Sequence, residues 1–106
     1  MAELIVVSWR DIPAQVLVKA GRRTARWPLA DRFQEAIDRA AMRAGLRDTE
    51  AYLGEWRRVA AGSCGDDLET EAERAAARLE ADYTPERLRA LVANGGREPQ
   101  SEGYPP

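Results

Sequence analysis

The sequence predicts an α+β fold: an N-terminal three-stranded antiparallel β-meander covered by three to four α-helices. Three observations carry this expectation. The first third of the chain is rich in β-branched residues with a period of two. The remainder changes to the 3.6-residue period of amphipathic helices, and Gly or Pro stands at most changes of pattern.

The first element, ELIVVSW at 3–9, is apolar and β-branched without helical spacing, as expected of a strand buried on at least one side. Asp11-Ile12-Pro13 then breaks the run, because Pro cannot donate to a ladder and restricts the residue before it. A second strand over 14–20 alternates Val16 and Val18 against Gln15, Leu17 and Lys19. Ala20-Gly21-Arg22 is its hairpin turn, with Gly21 free to take a positive φ. The third strand, 23–27, alternates Arg23, Ala25 and Trp27 against Thr24 and Arg26 until Pro28 ends it.

Beyond Leu29 the helices begin. Asp31 is the expected N-cap of the first, with Phe33, Ile37, Ala40, Ala41 and Ala44 on one stripe and Gly45 as its stop. A second helix is expected from Asp48 or Thr49, burying Tyr52, Leu53, Trp56, Val59 and Ala60, with 61–65 as a loop. The third carries Leu68, Ala72, Ala75, Ala76 and Leu79. Thr84-Pro85 supplies the N-cap and first residue of a fourth, bearing Leu88, Leu91 and Val92 and closed by Asn94-Gly95-Gly96. One domain over 1–96 is expected, followed by a flexible tail, 97–106, too poor in apolar residues to fold alone.

Composition narrows the chemistry. There is no histidine and a single cysteine, Cys64, which excludes His-based acid–base catalysis, His/Cys zinc sites and internal disulfides. Neither a metal site nor a cofactor is expected. The glutamates of the third helix, interleaved with Arg74 and Arg78, read as a solvated face with i, i+4 pairs. Cys64 feels a helix N-terminus that would lower its pKa and Asp66 and Asp67 that would raise it. No run approaches the roughly 18 apolar residues needed to span a bilayer, and Leu4–Val7 is too short for a signal-peptide core. The expectation is a soluble cytoplasmic protein with no membrane partner.

The net charge of −2 conceals a split: residues 1–47 carry nine basic and five acidic residues, and residues 48–106 seven and thirteen. Such asymmetry orients a protein against a partner of opposite sign, but it is too weak for nucleic acid. Two stretches concentrate polar groups. In SWRDIPAQV, Trp9, Asp11 and Pro13 read as structural anchors of a corner, while Arg10 and Gln15 are the pair that could reach a carboxylate, a phosphate or a partner backbone. Ten residues on, Lys19, Arg22, Arg23 and Arg26 surround the hairpin turn and are followed by Trp27. This cluster reads either as a charged edge that discourages aggregation or as an anion-binding or protein-docking patch.

SWRDIPAQV, GRRTAR and RFQEAIDRAAMRAGLRDTEAYLGEW together resemble the small bacterial domain family called virulence factor, across roughly 4–58; beyond Ala61 the sequence is generic helix. The resemblance implies a scaffold or accessory role, since relatives carry the domain beside NifU-like and helical-repeat segments. It also implies folate- or corrinoid-dependent methyl-transfer enzymes as companions of stand-alone members. It brings no catalytic residues. The expected function is thus a non-catalytic adaptor that binds a larger protein, such as a one-carbon enzyme, through the basic hairpin. The alternatives are a binder of, or marginal enzyme acting on, a small anionic ligand, a folate-like carboxylate or phosphorylated metabolite held by Arg10, Gln15 and Arg26, and a homodimer formed by pairing of exposed sheet edges.

Overall fold

In the computed structural model, which describes residues 1–46 and 48–98, the elements run β1 (Ala2–Trp9), β2 (Ile12–Ala20), β3 (Arg23–Pro28), α1 (Asp31–Arg43), α2 (Thr49–Leu53), β4 (Trp56–Cys64), α3 (Leu68–Asp82) and α4 (Pro85–Ala93). The fold is α+β. Its strands form one antiparallel sheet in the order β3-β2-β1-β4, so the expected meander is present and a fourth strand extends it. No helix among the described residues is long and apolar enough to cross a membrane.

The fourth strand replaces most of the second helix expected from the sequence. That helix stops after Leu53, and residues 56–64, which take in all but Gly65 of the expected loop at 61–65, form a strand on β1 instead. The spacing of Tyr52, Trp56, Val59 and Ala60 suits a helix, yet a short isolated helix is marginal. The free edge of β1 offers a full row of unpaired backbone donors and acceptors to be satisfied. Pairing with that edge wins, and Leu53, Val59 and Ala60, expected in the core, are exposed. Gly62, at φ 112°, lies where the β1–β4 register slips, a backbone state that favours glycine.

Two boundaries differ for equally local reasons. The break at Asp11-Ile12-Pro13 is a two-residue turn made by Arg10 and Asp11, with Trp9 opposite Ile12. The strand continues through Pro13, which sits opposite Ser8 where the register slips, so a residue lacking an N–H is accommodated at a bulge. Asp31 is the first residue of α1 rather than its N-cap. That place belongs to Ala30, whose N–H donates to Glu80 Oε2 at 2.9 Å. The remaining caps match expectation, with Thr84 Oγ1 accepting from the Arg87 N–H at 3.2 Å and Pro85 opening α4. Of the expected tail, 99–106 lies outside the described residues, whereas Arg97 and Glu98 contact the domain.

The core forms on one side of the sheet and around one end of it. Leu68, Ala72, Ala75 and Ala76 of α3 join Val16, Val18 and Ala25 in one apolar cluster. The stripe of alanines lets α3 lie close against β2 and β3. α1 packs along α4, and its Phe33, Ile37 and Ala40 belong to the same cluster as Leu88, Leu91, Trp9 and Ile12. Trp9, Ile12, Phe33, Ile37 and Leu91 are fully buried. Removing each such side chain from water is worth about 1.5–3 kcal/mol, so the Trp9–Ile12 end of the first hairpin is a principal anchor of the fold.

Candidate functional site

The turn between β1 and β2 places Arg10 at φ 51°, a left-handed conformation that costs a non-glycine residue about 1 kcal/mol. Its contacts offset that cost. The Arg10 backbone N–H donates to the Glu55 carbonyl at 3.0 Å, Nη1 donates to the Gly95 carbonyl at 2.9 Å, and Nε lies 3.2 Å from Glu55 Oε1. The guanidinium also stands 5.1 Å from the centre of the Trp9 ring. Trp9 donates from Nε1 to the Tyr52 carbonyl at 2.9 Å and stacks on the Tyr52 ring at 5.7 Å.

Asp11 closes the other half of this corner. Its N–H donates to the Gly96 carbonyl at 2.8 Å, Oδ1 accepts from Arg57 at 2.6 Å and Oδ2 accepts from the Glu98 N–H at 2.7 Å. Trp9 thus ties the sheet to α2, and Asp11 ties it to β4 and to the chain beyond α4, while Pro13 is fully buried beside them opposite Ser8. Arg10, expected to reach outward, turns inward: Nη1 is its one side-chain hydrogen-bond donor in use, and Nε is buried in charge contact with Glu55 without a hydrogen bond. Gln15 lies opposite Val7 and Pro28, past the bulge, and no hydrogen bond joins it to Arg10 among the described residues. Arg26 is opposite Leu17. The three residues expected to hold an anion do not converge.

The basic hairpin is built differently. In an antiparallel sheet, residues opposite each other share a face. One face carries Val16 with Trp27, Val18 with Ala25 and Ala20 with Arg23, and α3 covers it. The other carries Lys19 with Glu3 and Thr24, Leu17 with Ile5 and Arg26, and Val7 with Arg58. Alternation thus separates the cluster: Lys19 and Arg26 lie on one face, Arg23 and Trp27 on the other, and Arg22 in the turn. Trp27 is half-buried against the core, so its indole is not a free anchor. Ile5 and Leu17 are buried yet stand apart from the main apolar cluster. Their neighbours by register include Lys19, Arg26 and Arg58, whose aliphatic stems suit the shielding of such a floor.

Arg22, Arg23, Arg26 and Arg58 are exposed. Neither they nor Lys19 form an ion pair or a side-chain hydrogen bond among the described residues. Arg58 was absent from the sequence-based site because its segment read as helix. Local sequence carries no signal for it: Trp56, Arg58 and Ala60 share one face only once β4 pairs with β1. Arg57 and Glu55, which hold the corner, left no local signal at all.

The titratable groups add little reactive chemistry. Burial, then the carboxylates of Glu71 and Asp66, push the Cys64 thiol up, so the raising influences prevail over the nearby N-terminal amine and the thiol is a weak nucleophile. Burial also pushes Tyr83 up, against the pull of the Arg87 guanidinium stacked 4.0 Å from its ring centre. Arg87 itself is raised by its hydrogen bond to Glu98. No group of three or more His, Cys, Asp or Glu side chains among the described residues is placed to hold a metal ion.

The chain matches the family described as Virulence factor over residues 7–92, from the last residues of β1 to the last turn of α4. It belongs to the virulence factor family. The match runs well past the stretch that carried the resemblance in sequence and takes in β4, α3 and most of α4, so the family's signature spans both layers of the fold. Neither a curated protein nor a solved structure matches the chain.

Proposed function

We propose that this virulence factor family member is a cytoplasmic, non-catalytic accessory protein that docks on a larger protein through its basic hairpin and the sheet face carrying Lys19, Arg26 and Arg58. The observation that supports this reading is the set of cations with no partner inside the described chain, held at fixed spacing by the ladder. Paired cations would serve stability; unpaired ones on a rigid strand present preorganised bidentate donors to carboxylates. The partner is therefore an acidic protein surface, and the family resemblance makes a folate- or corrinoid-dependent methyl-transfer enzyme our proposed candidate. Arg22 and Arg23 at the hairpin tip widen the electrostatic target and speed encounter.

Affinity purification from native lysate tests the proposal. The wild-type chain is expected to recover a stoichiometric partner that the triple variant Arg22→Glu, Arg23→Glu, Arg26→Glu loses, while stability changes by no more than about 0.5 kcal/mol per site because these positions are solvent-exposed. Retention of the partner by the variant, or recovery of the chain alone, overturns the reading.

A further inference from the structure

On a different part of the molecule, a groove of about 350 Å³ runs between α1 and α4. Arg32, Arg39 and Arg43 stand along its α1 side and Arg89 on its α4 side, above a floor that includes Ala36, Leu88 and Val92. Glu35 is the one carboxylate among the residues lining it. Arg32 is already held, donating to the Glu80 carbonyl at 2.8 Å and stacking on Phe33. Arg39 and Arg43 form no ion pair or side-chain hydrogen bond among the described residues, and Arg89 reaches only Glu86, at 3.7 Å between two well-exposed side chains. A chain of net charge −2 thus gathers four cations against one anion where two helices meet over apolar residues.

We propose that this groove is a second docking site and that it takes an acidic amphipathic helix from a partner protein. Charge complementarity selects the sign of the occupant, and the spacing selects its form. Arg32, Ala36, Arg39 and Arg43 recur at four, seven and eleven residues, one stripe about 16 Å long at 1.5 Å per residue. Arg39 and Arg43 are one turn apart, about 6 Å, which is the distance between carboxylates at i and i+4 of a facing helix. Between the arginines of α1 and Arg89, apolar side chains one turn apart on that helix cover Val92 and Ala93, which stay open to solvent above the buried Leu88, the helix-in-groove mode of recognition. The hairpin residues Lys19–Trp27 contribute nothing to this groove, so the inference stands independently of the proposed docking through the sheet.

The probe is a fluorescein-labelled synthetic helix of about four turns, with leucines one turn apart on one face and glutamates flanking them, titrated against the full chain by fluorescence anisotropy and by amide chemical shifts. Saturable one-to-one binding is expected, with shifts centred on Arg39, Arg43 and residues 88–93. The double variant Arg39→Glu, Arg43→Glu should weaken it at least tenfold, about 1.4 kcal/mol. Ala93→Glu, an exposed position on the groove wall, should weaken it as well, and all three substitutions sit on exposed sites that leave the fold intact. The triple hairpin variant should bind as tightly as wild type. Equal binding of a scrambled peptide of the same composition, shifts confined to the hairpin, indifference to Arg39→Glu, Arg43→Glu, or no saturation by about 1 mM peptide would each overturn the proposal.

Discussion

The corner at Trp9–Pro13 and the hairpin at Lys19–Trp27 are similarly dense in polar and aromatic residues, yet the chain uses them in opposite ways. At the corner, Arg10 is bound 85 positions away at Gly95 and Asp11 is bound 46 and 87 positions away at Arg57 and Glu98. In the hairpin, ladder pairing fixes the backbone and the cationic side chains find no partner among the described residues. A cluster of charged residues therefore carries two meanings that local sequence does not separate. What separates them is whether distant segments return to meet the charges, which is a property of topology.

The sharpest way to break this comparison is to make the same substitution in both regions. Gly96 has φ 93°, and a Cβ added there would stand 2.7 Å from Trp9 Cζ3, whereas Gly21 has φ 60° and open space around it. Gly96→Ala should cost about 3 kcal/mol, combining backbone strain with a clash against a ring that cannot move. Gly21→Ala should cost about 1 kcal/mol, from the backbone alone. Urea denaturation of the two variants measures both, and equal costs would show that the corner is no more tightly built than the hairpin.

The same contrast governs how much of the molecule was legible in its sequence. The meander, the stripe of Phe33, Ile37, Ala40 and Ala41, the alanine face of α3 and the Thr84-Pro85 start of α4 follow from local periodicity and capping, and the structure contains each of them. The fourth strand was hidden because Trp56, Val59 and Ala60 fit a helix as well as a strand, and the edge of β1 that decides the matter lies about fifty residues away. The hairpin cations were legible as a cluster, but their division between two faces required the register. Arg10 turns inward instead of outward because its partners Glu55 and Gly95 lie far along the chain, and nothing near it in sequence announces them. Arg39, Arg43 and Arg89 drew no notice in sequence because a groove exists only once α1 lies along α4.

A smaller effect tests whether the corner's ion pair carries its own weight. Arg57 and Asp11 meet at 2.6 Å with side chains partly open to solvent, so a double-mutant cycle of Asp11→Ala and Arg57→Ala should give a coupling of about 0.5–1 kcal/mol, falling with salt. Asp11→Ala alone should cost more, about 2 kcal/mol, because it also removes the charge-assisted hydrogen bond accepted from the Glu98 N–H. Arg22→Ala, exposed in the hairpin turn with no pairing to lose among the described residues, should stay within about 0.5 kcal/mol. A coupling near zero would leave the backbone bonds of Arg10 and Asp11 as the true fastening.

The smallest effect appears only in alkali. Tyr83 lines a groove of about 260 Å³ together with Asp11, Arg57 and Glu98, and burial holds its phenol protonated to higher pH than in the unfolded chain. The groups facing it pull in both directions: Arg87 favours the phenolate, while Glu98, Asp11 and Asp82 oppose it. Because the folded state keeps its proton longer, the linked stability is fully present below the ordinary tyrosine value of about 10 and is lost as pH rises through that value toward the folded one. Tyr83→Phe should abolish this alkaline slope and leave stability at neutral pH nearly unchanged, since no hydrogen bond of the phenol is lost among the described contacts. Arg87→Ala should widen the pH window by removing the one cation that opposes the shift. Denaturant midpoints from pH 8 upward, compared among the three chains, decide the matter: an identical slope in wild type and Tyr83→Phe would place the alkaline loss elsewhere and show the groove beside the corner to be open to water.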